Sequence, residues 1–279
     1  MDNEGKALIH QFCEEYQFRL GERTLIAYRY NINDFFTWLN RPMQSTCVRD
    51  IRQYMGDLQK RGQKSTTICQ KMASLRLFFF YLMDEEVVTI NPVLAVTLPQ
   101  LEDKLPVSLS QGQLQMLREL VKGSLREQAI IETMYATGVR LGELVDMNRT
   151  DINWGDRSIL IRKGKGKKER IVLFSHYCKE ILTAYLRERQ DEQERLFLNS
   201  KGAPIQPRTL RKTFEKYTKQ LGVKVTPHTM RHTFAAHLAK KGLPLVYIQD
   251  LLGHDTIEVT KLYARLDEQA RKTTYDYYL

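Results

Sequence analysis

Residues 158–174 read SILIRKGKGKKERIVLF, and they decide the fold class because they hold the chain's one clear strand signal. Two aliphatic runs, Ser158-Ile159-Leu160-Ile161-Arg162 and Arg170-Ile171-Val172-Leu173-Phe174, flank a turn of glycine and lysine, the pattern of a β-hairpin. On either side the apolar residues recur at helical spacing instead. Upstream the pattern predicts helices over about 110–121, 124–136 and 140–147, and downstream over about 175–190, 208–221, 227–241, 244–252 and 256–264. The expected fold class is mainly α with a small β-sheet or hairpin.

Further toward the N-terminus the strand signal is absent. From Thr24 the apolar residues Leu25, Tyr28, Ile32, Phe35, Phe36 and Leu39 keep helical spacing until Arg41-Pro42 stops them. A shorter segment over 46–60 closes at Gly62, and Ser65 or Thr66 caps a long helix through Leu75, Phe78, Phe79 and Leu82. After Asn91-Pro92, a stretch with Pro99, Glu102, Asp103, Lys104 and Pro106 reads as a linker. Residues 1–98 are therefore expected to form a helical domain, 99–107 a linker, and 108–279 a second domain.

The charge follows that division. Of a formal net +10 over 279 residues, the first hundred hold 12 Lys and Arg against 11 Asp and Glu, and the remainder 31 against 22. Such asymmetry points to a polyanionic partner, nucleic acid first and an anionic membrane surface second. The four cysteines, at 13, 47, 69 and 178, show no metal-binding or redox spacing and read as reduced thiols. The N-terminus is polar and acidic, unlike a signal peptide, and the longest apolar run, 77–83 (LFFFYLM), is too short to span a bilayer. A cytoplasmic protein is expected.

Four segments carry chemistry. In Thr226-Pro227-His228-Thr229-Met230-Arg231-His232 the threonine caps a helix that opens on proline, so His228 and Arg231 share its first turn beside free backbone N–H groups. That is a phosphate pocket. A metal site at His228 and His232 is the rival reading, weakened by Thr229 in place of a Glu and by the charge of Arg231. In Gly138-Val139-Arg140-Leu141-Gly142-Glu143 the glycine ends one helix and the next begins almost at once, holding Arg140 at a corner where Glu143 can brace it. The turn Lys163-Gly164-Lys165-Gly166-Lys167-Lys168 lacks Walker spacing but can drop a cation beside a phosphate. Finally, Gly253 ends a helix, His254 follows at the junction, and Tyr263 lies one helix further on. Taken singly, each has a plain structural reading: a solvated helix face, a surface ion pair, a charge run, a half-buried tyrosine.

Together they do not. Arg140, Lys165, His228, Arg231, His254 and Tyr263, in the segments ATGVRLGEL, RKGKGKKER, HTMRHTFAAHL, LLGH and LYARL, resemble the active site of the tyrosine recombinases. The run SLRLFFFYLMDEEVVTINPV followed by LPVSLS is similar to the Xer and transposon-resolvase branch. The resemblance implies a site-specific DNA recombinase that works without metal or ATP through a 3′-phosphotyrosine and a Holliday junction. It assigns Tyr263 as nucleophile, Arg140 and Arg231 as phosphate grips, His228 as proton acceptor, Lys165 as proton donor to the leaving oxygen, and His254 as a further donor. Glu143 then acts behind Arg140. The resemblance also implies a two-domain clamp on double-stranded DNA with an inverted-repeat core site. A homotetramer, alone or with a paralogous recombinase, is implied too, with residues 265–279 docking on a neighbour. Expected phosphate contacts are Lys64, Thr66, Lys71, Arg76, Lys163 and Lys167. The alternatives are an architectural or regulatory DNA-binding protein and a type IB topoisomerase-like enzyme. With about 98 residues before the linker, the chain is not expected to carry the extra arm-site domain of large directional integrases.

Overall fold

The computed structural model describes residues 3–101, 106–162 and 169–253. The chain divides into two compact units, Met1–Asp103 and Lys104–Leu279.

In the first unit four helices surround an aromatic core: α1 (Asn3–Tyr16), α2 (Glu22–Leu39), α3 (Val48–Lys60) and α4 (Ser65–Asp84). Phe12, Phe35, Phe36, Tyr54, Phe78, Phe79 and Tyr81, drawn from all four, are each exposed by 2% or less. Most of their rings meet edge to face, as in Phe12–Phe78 at 5.3 Å and 87°, an arrangement that the ring quadrupole favours, while Phe78 and Tyr81 stack. Asn40 ends α2 in the left-handed conformation. Asn91 then caps a 3-10 turn, Pro92–Ala95, by accepting the N–H of Val93. Helix α4 begins at Ser65 itself, with Lys64 at the capping position.

The second unit contains α5 (Gln111–Leu120), α6 (Leu125–Thr137) and α7 (Leu141–Asp146), then strands β1 (Ile152–Asn153), β2 (Ser158–Ile161) and β3 (Arg170–Leu173). Helices α8 (His176–Glu188), α9 (Pro207–Leu221), α10 (Pro227–Lys240) and α11 (Leu245–Leu252) follow. The expected hairpin forms, with Ile159 opposite Val172 and Ile161 opposite Arg170. Ile159, Ile161 and Val172 face the core while Ile171 and Leu173 are exposed, so a slip of one residue would exchange the two sets. Strand β1, which the sequence reading does not contain, pairs with the free edge of β2 to complete a three-stranded antiparallel sheet.

Helix α6 packs against both α8 and α10, and its residues 129–134 are buried without interruption, as befits a central helix. Near the C-terminal end of α10, His237 donates from Nε2 to the Leu109 carbonyl at 2.9 Å, leaving Nδ1 to accept from Tyr135 at 3.0 Å and Gln111 at 3.2 Å. Thr233, one turn earlier, accepts the Leu109 N–H at 2.9 Å. The start of the second unit is thus clasped to α10.

Candidate active site

The site is built where three chain turns meet. Helix α6 ends at Gly138 with φ 62°, its N–H reaching the Met134 carbonyl. A Cβ there would lie 2.3 Å from Phe234 Cδ1 and 3.0 Å from Leu252 Cδ2, so both the left-handed backbone and the packing require glycine. Two residues later Arg140 takes the N-cap position of α7, and Glu143 turns back to accept its backbone N–H at 2.7 Å. The same carboxylate accepts Arg140 Nη1 at 2.8 Å and both η nitrogens of Arg170, from β3, at 2.8 Å each. Burial alone would raise the pKa of Glu143, but the bonds from Arg170 and Arg140 hold it below the usual carboxylate range.

The second arginine approaches from α10. Thr226 caps this helix by accepting the Thr229 N–H, and Pro227 opens it. Met230 and Phe234 pack inward, leaving His228 and Arg231 in the first turn on the site's side. Arg231 is buried and donates to the Gly138 carbonyl at 2.6 Å and the Leu252 carbonyl at 2.7 Å. Arg140 in turn donates from Nη2 to the carbonyl of Gly253, the left-handed C-cap of α11, at 2.9 Å. Both guanidiniums are therefore fixed by carbonyls of the α11 terminus, which aligns one with the other.

Burial, followed by the charges of Arg231, Arg140 and Arg211, lowers the pKa of His228. His232 falls to about 4, through burial and then His228 and Arg231. Both imidazoles are neutral at physiological pH. Their rings lie 6.4 Å apart, and a cation between them would face Arg231. Arg140, His228 and Arg231 line one cleft of about 800 Å³, together with Arg211, Lys219 and Lys224. A neutral imidazole among cationic donors suits an anionic ester that must be gripped while a proton is removed.

Of the other residues singled out from the sequence, Lys163, Lys165, Lys167, His254 and Tyr263, with the tail 265–279, lie outside the described residues. Lys64, Thr66 and Arg76 are exposed on or beside α4. Lys71 departs from the solvent-facing position expected of a phosphate contact. It is 7% exposed, and its ammonium donates to Asp34 Oδ2 at 2.7 Å, where the Tyr54 hydroxyl also donates at 2.6 Å. The sequence reading missed Arg170 and Arg211. The first looks like any strand-opening residue. The second is signalled only by the stripe Leu210, Phe214 and Tyr217, which turns the basic face of α9 outward.

The chain matches the phage integrase family over residues 108–270 and the phage integrase N-terminal SAM-like domain over 9–86. It is 34% identical to the tyrosine recombinase XerC of Anoxybacillus flavithermus, covering 91% of this chain and 90% of that protein. The chain belongs to the phage integrase family. It is likewise 30% identical to the XerC of Bacillus subtilis, over 97% of this chain and 95% of the relative. Among solved structures, a lambda integrase dimer bound to a core site matches with a TM-score of 0.78 at 18% identity, over 95% of this chain and 96% of that one. XerH bound to palindromic difH matches at 0.74 and 21%, over 96% and 83%. These two are likenesses of fold, mostly helical with a small antiparallel sheet. Among the described residues, no helix is long and apolar enough to cross a membrane.

Proposed function

We propose that the Tyr263 hydroxyl attacks a scissile DNA phosphate held in the cleft between α7, α9 and α10. By family the chain is a site-specific DNA recombinase of the tyrosine type, and the architectural and topoisomerase-like alternatives are not favoured. The observation that carries the site reading is the convergence of Arg140, His228 and Arg231 on one cleft.

The bond from phosphorus to the 5′-oxygen breaks as the bond to Tyr263 forms, leaving a 3′-phosphotyrosine and a free 5′-hydroxyl. Attack by the 5′-hydroxyl of the exchanging strand reverses the step through a Holliday junction. The ester energy is conserved and no nucleotide triphosphate is needed. Arg140 and Arg231 grip the non-bridging oxygens with fork-shaped donors as charge grows on them. Neutral His228 accepts the tyrosine proton, Lys165 gives one to the leaving 5′-oxygen, and His254 adds a hydrogen bond. These cationic donors do the work a metal would otherwise do.

Residues 1–98 bind the core site, the segment 99–107 links, and 108–279 cut. The partner is double-stranded DNA with an inverted-repeat core, bound by a homotetramer or with a paralogous recombinase, the tail 265–279 docking on a neighbour. Lys64, Thr66, Arg76, Lys163 and Lys167 contact phosphates, joined by Arg211, Lys219 and Lys224 of the cleft. The enzyme works in the cytoplasm at the nucleoid, in a Xer-like or transposon-resolving role.

A nicked suicide duplex, denatured after incubation, tests this directly. Wild type should leave a slowly migrating covalent adduct. Tyr263→Phe removes only an oxygen, should keep DNA affinity, and should abolish adduct and recombination together. An undiminished adduct would mean that another residue is the nucleophile.

A further inference from the structure

Glu143 is 6% exposed and lies between two guanidiniums. Paired with Arg140 alone it would form a neutral couple, and a neutral couple attracts an entering phosphate far less than a free charge does. Arg170 changes that balance. Its fork takes both carboxylate oxygens from the β3 side, each at 2.8 Å, so two positive charges share one negative and the cluster is left with a net +1. Arg170 does not line the cleft, whereas Arg140 does. The surplus charge is therefore presented through Arg140.

Arg170 also shapes the turn that orients Arg140. Its Nε donates to the Leu251 carbonyl at 3.2 Å, and its side chain packs against Gly253 so closely that a Cβ there would come within 3.0 Å of Arg170 Cδ. Two residues on, the carbonyl of Gly253 accepts from Arg140 Nη2. One side chain thus both answers the charge of the brace and sets the second anchor of the catalytic guanidinium.

We propose that Arg170 is a positioning residue for phosphate binding, which cancels the charge of Glu143 and fixes the 251–253 turn so that Arg140 meets the scissile phosphate with its full charge. This rests on the reading of Arg140 as a phosphate ligand.

The test is single-turnover cleavage of the nicked duplex by wild type, Arg170→Met, Arg170→Lys, Glu143→Gln, the Glu143→Gln/Arg170→Met double variant and Arg140→Ala. The substrate carries either an ordinary scissile phosphate or a methylphosphonate, which lacks the negative charge. Arg170→Met should slow cleavage of the phosphate by about 10- to 100-fold with unchanged DNA affinity, less than loss of a direct donor. Arg170→Lys should restore part of the rate, since charge returns without the fork. The defect should shrink on the methylphosphonate, where the charge that Arg140 meets is gone. Equal losses on both substrates would show a general structural role and overturn the proposal.

Should Arg170→Met fail to fold, the double variant carries the test, because no uncompensated carboxylate remains. It should cleave within about 10-fold of Glu143→Gln alone, the remaining deficit being that of the unanchored 251–253 turn, and a further loss of about 100-fold or more would overturn the charge-cancelling role. Arg140→Ala separates the two levels. If it cleaves normally, the site reading itself fails. If it is slow while Arg170→Met matches wild type, only the inference about Arg170 fails.

Discussion

Each unit buries a cationic side chain against a carboxylate, and the two do so in different ratios. In the first, Lys71 and Asp34 match one to one, with the Tyr54 hydroxyl on the same oxygen. Burial would raise the pKa of Asp34, but the bonds from Lys71 and Tyr54 lower it, and the pair is closed upon itself. In the second, Arg140 and Arg170 share the single carboxylate of Glu143, and the anchors of Arg140 and Arg231 include the neutral carbonyls of Gly138, Leu252 and Gly253. Carbonyls orient a guanidinium without cancelling its charge. A cation matched by its own anion ties helices together, whereas one held by dipoles beside an open cleft keeps its charge for a ligand.

Arg231→Lys would break this contrast most sharply. A lysine cannot span the carbonyls of Gly138 and Leu252 while offering a fork to phosphate, so cleavage should fall by about 10²–10³, nearly as far as in Arg231→Ala. Near-normal cleavage by the lysine variant would show that charge alone matters there.

In the first unit the damage should be to stability instead. Lys71→Met leaves Asp34 half-buried without its cation and should cost about 1–3 kcal/mol, read from the shift in denaturant midpoint. The salt dependence of DNA binding should not change. A shallower slope would return Lys71 to the phosphate-contacting set.

The half-buried His232 adds a pH test. Its folded pKa of about 4 lies below the ordinary 6.5, so between those values the unfolded chain binds the extra proton. Its contribution to stability is complete above pH 6.5 and is lost as pH falls toward 4. Thermal midpoints measured from pH 7 to 4 should therefore fall more steeply in wild type than in His232→Gln, and parallel curves would remove this assignment.

The smallest effect belongs to the exposed face of α4. With about six phosphate contacts, the slope of log K against log salt should be near −5, and Lys64→Ala should reduce its magnitude by about 1. An unchanged slope would make that lysine a solvated bystander.

The hairpin was legible because alternation of large aliphatic residues around a Gly-Lys turn has no helical counterpart. Strand β1 was not, since two residues, Ile152 and Asn153, carry no periodicity. Local grammar placed Arg140 after a helix-ending glycine and His228 with Arg231 in one first turn, and the structure brings those three to a common cleft. Long-range partners were the blind spot. Lys71 sits at a spacing that reads as polar surface, yet α4 also buries Ile68, Ser74 and Leu75, and its cation meets Asp34 of another helix. Arg170 is 27 residues from the carboxylate that it holds, a pairing that only the folded sheet reveals.

The His237 clasp bears on how this protein can be dissected. Leu109 is bonded through both its N–H and its carbonyl to α10, the helix whose opposite end carries His228 and Arg231. A fragment that begins a few residues before Leu109 retains the strap, whereas one that starts at α5 loses it. The His237 imidazole would then keep Tyr135 and Gln111 but lose the Leu109 carbonyl, and Thr233 would lose the Leu109 N–H, so the C-terminal half of α10 would be tied down by fewer bonds. The point of truncation, and not merely the retention of every active-site residue, therefore governs how firmly an isolated fragment holds its arginine in register.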